Sequence, residues 1–554
     1  MKQIIRTFVS AILLLCLFCS FALACMRPSY NSSHHGANNN EPVLNGQPDN
    51  RPLRPMAAIP CVGGMSATFP CQNIDLVSLL PLNQMGGGSG SEVWGWTDPL
   101  TGKEYALFGR SSGTAFIDLS NPEAPVYLGN LPTHSVNSSW RSLRVYADHV
   151  FIGSESANHG IQIFDLRQLR NVNNPPMAFT ETAYYSGLRR SHTLTIDEET
   201  GTLFAAGSAD TCSGGLHMIN VKNPTQPVFI GCVAQDGYTH EAQCVIYHGP
   251  DAAYRGHEVC ANSNEDTLTM VDVTNRSAPA QLSRTGYVGV GYTHQTWFTD
   301  DQAYLLLDDE LDERNLGGNG KTLIWNMTDL DAPRLIGSYL HSTPSIDHNL
   351  YIRGDYVFES NYRSGLRILN IGGIANGNLQ EVGFFDIYPA DNAAQFNGAW
   401  LNYPFFKSGI VLVSGIEQGL FVLRPTNLPQ QTIQLLTEIN SERAVAFDSI
   451  MLLRDPFPVI APLRFTPDQR TRVTLLAKNI IPALLAGTTA EAEDYLHNVY
   501  PVTVENIAEV PDLPGYEQVT VKLPDSLTNR GSVWLSVAQN RSPSNKALIR
   551  IKQQ

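Results

Sequence analysis

The sequence has little of what most function classes require. Charged residues make up only 16% of its 554 positions, 37 Lys and Arg stand against 52 Asp and Glu, and no basic stretch interrupts the net charge of -15. A nucleic-acid partner, whose affinity rests on neutralised phosphates, is excluded on that balance. There is no G-x-S-x-G turn to raise a serine nucleophile, and Ser191 and His192, though adjacent, would point to opposite faces of a strand. The glycine run Gly86-Gly87-Gly88-Ser89-Gly90 lacks the Lys-Ser/Thr and following helix of a phosphate cradle and reads as a linker. H-x-H, H-E-x-x-H and the EF-hand spacing are all missing. Beyond the extreme N-terminus, no segment is apolar for long enough to span a bilayer, so any membrane contact goes through an anchor.

What is there begins with an export signal over residues 1–24. Lys2 and Arg6 precede an apolar run from Phe8 to Leu23, and Ala22-Leu23-Ala24 ends directly before Cys25. A small-residue site before a cysteine resembles a bacterial lipobox, with Ala22 where Leu is commonest. Two outcomes are open: lipidation of Cys25, giving an outer-membrane or cell-surface lipoprotein, or cleavage and release as a secreted or periplasmic protein. Of nine cysteines, Cys16 and Cys19 leave with the signal and Cys61, Cys71, Cys212, Cys232, Cys244 and Cys260 lie in the body. An even set in an oxidising compartment reads as disulfides, and proximity favours 61–71, 212–232 and 244–260. Cys25 is then the odd one, which acylation explains. Residues 25–72, Asn- and Pro-rich, read as a lipidated tether.

With 44 Gly and 34 Pro, the body suits short strands and many turns. One phrase recurs: an apolar strand ending in Asp or Asn, a polar turn with Pro, then another apolar strand. Its copies run 114–118, 161–165, 216–220, 268–272, 323–326, 366–370 and 420–423, seven in all. Two more apolar runs precede each copy, so every repeat holds the four strands of a propeller blade. The seventh repeat stops at Arg424-Pro425 without its fourth strand, and the spare segment 74–80 has that strand's pattern. The expectation is an all-β chain: a seven-bladed β-propeller over 73–430, closed by an N-terminal strand that leaves no exposed edge. A small Ig-like β-sandwich follows over 431–554, within which 477–496 is helix-compatible.

Tyr238-Thr-His240-Glu-Ala-Gln-Cys244, Tyr292-Thr-His294-Gln-Thr-Trp297, Asp308-Asp-Glu-Leu-Asp-Glu313, Asp347-His-Asn-Leu350, Ser360-Asn-Tyr-Arg-Ser-Gly-Leu366 and Gly398-Ala-Trp400 together resemble the choice-of-anchor B family. That family carries LVIVD-type propeller repeats. The resemblance spans roughly 73–425 and implies an exported bacterial protein held at the surface by one of several anchors; it implies no activity. The C-terminal stretch is similar to small Ig-like modules on other exported bacterial proteins.

Aligning the repeats puts His192, His240, His294 and His348 at one equivalent position, the start of the innermost strand of blades three to six, with Arg141 there in blade two. Carboxylates at the ends of the returning strands, Glu155, Asp210, Glu265, Asp309, Glu359 and Glu417, should rim the same mouth. Four converging imidazoles are suitable ligands for a transition metal; histidines that simply bond between blades are the alternative. The run Asp308, Asp309, Glu310 and Asp312 offers the oxygen donors that calcium prefers, and equally reads as a solvated acidic loop. The leading reading is a surface-anchored module that binds a protein, peptide or glycan at the mouth through Arg141, Trp297, Glu359, Tyr362 and Trp400. The alternative is a metal-dependent, oxidoreductase-like enzyme using the four histidines.

Overall fold

A computed structural model describes residues 53–553, apart from 427, 429–432, 440, 462–466, 481, 512, 514 and 540–541. The signal segment and Cys25 lie outside the described residues. The chain is all-β, and its larger part is a seven-bladed propeller. Blades one to six are four-stranded antiparallel units whose innermost strands are Gly90–Thr97, Arg141–Tyr146, Leu194–Asp197, Glu241–Ile246, Thr293–Phe298 and Leu350–Arg353. Blade seven combines Ala399–Tyr403, Val411–Gly415 and Gly419–Pro425 with Ile74–Pro81, which pairs antiparallel along the whole of Gly419–Pro425. Successive innermost strands touch around the ring, including those of blades seven and one. The N-terminal strand therefore supplies the missing edge, as the sequence pattern requires.

The recurring Asp or Asn has a local cause. In six blades its side-chain oxygen accepts from the backbone N–H two residues on, Asp118 from Ser120, Asp165 from Arg167, Asn220 from Lys222, Asp272 from Thr274, Asn326 from Thr328 and Asn370 from Gly372, at 2.7–3.0 Å. This short side chain closes the turn out of the third strand and satisfies a donor that the ladder has released. The glycine of the following strand is needed where the next blade presses in: a Cβ on Gly231, at φ +159, would collide with the Arg276 carbonyl. Between blades the faces are apolar. Trp96, Tyr105, Leu107 and Phe116 of blade one meet Leu143, Ile152 and Phe164 of blade two, all buried. Each such side chain contributes about 1.5–3 kcal/mol by leaving water.

Three disulfides join the pairs expected from proximity. Cys244 and Cys260 face each other on neighbouring strands of blade four, Cys212 and Cys232 lie 5.2 Å apart at Cα, and Cys61 and Cys71 close an N-terminal loop. Disulfides of this number indicate an exported chain. The tether is shorter than expected. Met56 and Ile59 bridge to Leu79 and Leu76, and Phe69–Gln72 adds a strand outside Gln380–Phe385 of blade six. The reason is apolar: Phe69 is buried, with its ring 5.3 Å from Phe421 and 5.7 Å from Phe385.

The C-terminal domain is one connected antiparallel sheet. Its long strand Val499–Glu509 pairs with Thr488–Glu493 through its first half and with Glu517–Lys522 through its second, and a bulge between Val504 and Asn506 bends it. Bridges from Arg443 and Phe457 to Leu548 and Ile551 bring the two ends of the sheet nearly together, around a core that includes Phe457, Val473, Val519 and Leu535. The helix expected within 477–496 does not form: Arg472–Lys478 and Thr488–Glu493 are strands joined by a short 3-10 turn, Pro482–Gly487. Alternating burial along Thr488–Glu493, with Ala490 and Ala492 inside and Thr489 and Glu491 exposed, is a period of two and outweighs the helical propensity of the Ala- and Glu-containing run. Among the described residues no helix is long and apolar enough to cross a membrane.

Candidate functional site

The four histidines form a continuous arc at the mouth. Their ring centroids are 4.1 Å apart for His192 and His240, 4.3 Å for His240 and His294, and 4.4 Å for His294 and His348, and the Tyr362 ring continues the row 4.4 Å from His348. Each ring is held through Nδ1: His192 by Glu155 at 2.5 Å, His240 by the His294 carbonyl at 3.1 Å, His294 by Asp308 at 2.8 Å and His348 by the Trp400 carbonyl at 2.6 Å. A carbonyl can only accept, so His240 and His348 carry their proton on Nδ1. Burial and the neighbouring imidazoles push both well below the ordinary histidine range, which leaves each Nε2 as a bare lone pair.

The other two behave oppositely. Burial disfavours the charged form of His294, but Glu310 and Asp308 outweigh it and raise the imidazole to about 9. Against its own burial, His192 is raised by Glu155. Desolvation pushes Asp308 up while His294 pulls it down, and with two carboxylates facing a single ring the proton rests on His294.

Local strand irregularity explains which carboxylate each histidine meets. Thr293 pairs with Asp309 and Gln295 with Asp308, so His294 is the extra residue of a bulge, and its ring turns toward Asp308 instead of Asp309. Trp400 occupies the equivalent bulge of blade seven. Asp309 is spent elsewhere, accepting from the Gly291 and Tyr292 N–H groups and from Tyr287. Glu310 accepts from the Tyr362 hydroxyl at 2.8 Å and faces His348 Nε2 at 3.7 Å and His294 Nε2 at 4.0 Å. The four oxygen donors of the acidic run thus do not share one centre, because consecutive residues leave the strand on different sides. Asp308 serves His294, Glu310 serves the mouth, and Asp312 turns away to Lys321.

Of the residues expected to contact a ligand, Arg141 and Trp400 line the cavity at the mouth, together with Glu92, Trp140, Thr193, Glu241, Asn349 and the four histidines. Tyr362 backs it through His348. Glu359 does not reach it: buried in blade six, it accepts from Thr322 and Asn361 and pairs with His341. Trp297 does not either. It points toward the other end of the channel and packs against Tyr351 at 4.9 Å and Phe405 at 6.3 Å. Asp210 and Glu417 are likewise occupied by local backbone donors, the N–H groups of Arg189 and Gly398.

Beneath the histidines lies a buried knot that sequence reasoning missed. Arg144 reaches from blade two to Glu92 at 2.7 Å, Glu241 at 3.3 Å and the Tyr351 hydroxyl at 3.4 Å, with its guanidinium 4.3 Å over the Trp94 ring. Burial holds the Glu241 carboxyl up at about 7 despite Arg144. The signal was present as charged residues inside innermost strands that the fold buries, Arg144 in Arg141–Tyr146 and Glu241 at the head of Glu241–Ile246.

Arg141 stands apart from Arg144. It is 1% exposed and donates through Nε to the Arg110 carbonyl at 2.6 Å and through one terminal nitrogen to the Ser111 carbonyl at 3.3 Å; Nη1 has no partner among the described residues. Burial and the adjacent Arg110 push its guanidinium down to about 10. Arg110 is also buried and bonds only neutral acceptors, Gly87, Ser112 and Asn130. The glycine run serves this arrangement: Gly86 is at φ +96, and a Cβ there would come 2.9 Å from Arg110 Nη1.

No family model matches the chain, and no curated protein matches it. Solved structures do. The periplasmic gluconolactonase of Pseudomonas aeruginosa is 9% identical with a TM-score of 0.39, over 62% of this chain and 97% of that one. A functionally unknown protein from Desulfotomaculum acetoxidans is 11% identical with a TM-score of 0.38, over 53% and 89%. A protein from Lactobacillus plantarum is 13% identical with a TM-score of 0.39, over 59% and 89%. Resemblance at this level leaves the activity of the chain to its own residues.

Proposed function

We propose that this chain is an exported binding module that receives an acidic group of a protein, peptide or glycan ligand at the histidine-lined mouth of its propeller. The observation that carries this reading is Arg141, a fully buried guanidinium in the cavity wall whose Nη1 has no partner and which meets no carboxylate among the described residues. A buried cation left with a spare donor is costly, and an incoming carboxylate or sulfate would relieve that cost with a charge-assisted bond. Trp140 and Trp400, in T-shaped contact with centroids 6.1 Å apart, supply apolar walls suited to a sugar ring or a side chain. The resemblance to choice-of-anchor B proteins and the three disulfides fit display at a cell surface, with acylation of Cys25 as the anchor and the C-terminal β domain as a spacer. Melting curves with acetate, glutamate, glucuronate and sulfate, against glucose as neutral control, test the reading. At least one anion should stabilise the wild-type chain and leave Arg141→Gln unmoved; a wild-type chain indifferent to every anion overturns it.

A second reading has its own support. With Nδ1 of His294 and His348 tied down, their Nε2 atoms and a Glu310 oxygen lie within 4.8 Å of one another, a two-histidine, one-carboxylate set for a transition metal. Elemental analysis of the purified chain decides it. Stoichiometric iron, copper or zinc that disappears in a His294/His348 double alanine variant would support a metal centre, and metal-free protein of intact fold would remove it.

A further inference from the structure

Behind the mouth, on the side of blades five and six, three carboxylates converge out of water. Asp312, Glu313 and Asp347 are 3%, 5% and 1% exposed, and one oxygen of each lies within 4.8 Å of the others. Two of their six oxygens are engaged: Asp312 Oδ2 with Lys321, and Asp347 Oδ2 with the Asp309 N–H at 3.2 Å. The remaining four, Asp312 Oδ1, both oxygens of Glu313 and Asp347 Oδ1, are buried without a donor among the described residues. Three ionised carboxylates against a single ammonium would leave an excess of two negative charges in a water-excluded site, which protons or a cation must neutralise; without an ion, burial and mutual repulsion push Glu313 up to about 8 and Asp347 well above the ordinary carboxylate range.

The surrounding backbone leaves room for a cation. Gly320 has no side chain at the spot where its Cβ would stand 3.1 Å from Glu313 Oε1 and 3.1 Å from the Ser345 carbonyl oxygen, so a neutral oxygen and a carboxylate oxygen face one small space. Hard oxygens only, both carboxylate and carbonyl, form the donor set preferred by calcium and not by softer metals.

We infer that Asp312, Glu313 and Asp347, with the Ser345 carbonyl, form a site for one calcium-like divalent cation, separate from the histidine arc. Asp312 and Glu313 follow Glu310 closely in the chain, and Asp347 precedes His348. An ion held there ties together the loops that carry both residues facing across the mouth.

Calorimetric titration of the full-length, EDTA-treated chain with CaCl2, MgCl2 and MnCl2 tests the assignment. One Ca2+ should bind per chain, more tightly than Mg2+, and raise the melting temperature. Glu313→Gln and Asp347→Asn should each weaken Ca2+ by at least about tenfold, as loss of a charged ligand does, while His294→Ala leaves it unchanged. Should the charge variants fail to fold, Gly320→Ala fills the same space without removing a ligand and should weaken Ca2+ as well. A wild-type chain that takes up none of the three ions at millimolar concentration overturns the site, as does Ca2+ binding of equal strength in folded Glu313→Gln.

Discussion

The two ends of the propeller channel are built from the same seven strands and are chemically opposite. Toward the starts of the innermost strands, imidazoles, an unpaired guanidinium and Glu310 gather around a cavity. Toward their ends, Trp94, Trp297, Tyr351, Tyr403 and Phe405 close the axis edge to face, with Trp94 and Tyr403 centroids 5.1 Å apart. Arg144, Glu92 and Glu241 separate the two. One end is satisfied within the fold, and the other holds polar groups that the fold leaves wanting; that asymmetry locates the site more firmly than the presence of histidine does.

The comparison can be broken most severely at the divide. Arg144→Met leaves Glu92 and Glu241 as buried, unpaired carboxyls and should cost about 3–5 kcal/mol in urea unfolding. Removing aromatic packing comes next. Trp297→Ala, at a half-buried position, should cost about 2 kcal/mol yet leave any anion-induced shift in melting temperature unchanged, since its ring does not line the mouth. Arg141→Gln should do the reverse: it changes stability by no more than about 1 kcal/mol, because the charge it removes is incompletely paired, and abolishes anion binding.

The remaining effect is in pH. The pKa of His294 is raised from 6.5 to about 9 in the folded chain, so its stabilising contribution is complete below the unfolded value and disappears as pH rises through about 9. In metal-free protein, both stability and anion affinity should therefore fall between pH 7 and pH 9.5, roughly, and His294→Gln should flatten that part of the curve. An unchanged slope in the variant would assign the titration to another group.

Much of the ring was legible because its determinants are local and repeated. A side chain that must accept from the N–H two residues on, as Asp118 and Asn220 do, leaves an Asp or Asn in six of the seven copies, and a ring missing one strand leaves that strand visible at the other terminus. The C-terminal domain has no repeat to read, and the Ala- and Glu-containing strand Thr488–Glu493 passes for helix until its partners are known. At the mouth, the arc of four histidines followed from repeat alignment, whereas Glu359 and Trp297 were misplaced. One-residue bulges and the choice among competing donors decide where such side chains go, and neither leaves a mark in a strand's own residues.

By itself, the sequence determined the blade count, the closing strand and the histidine register, all of which depend on spacing along the chain, and it favoured the three disulfide pairs by proximity without fixing them. Only tertiary structure decided which carboxylate meets which imidazole, that Arg144 is neutralised while Arg141 is not, and that Asp312 and Glu313 find Asp347 in the next blade. Those outcomes rest on distances of a few ångströms between segments far apart in sequence, where burial removes the water that would otherwise make every charge equivalent.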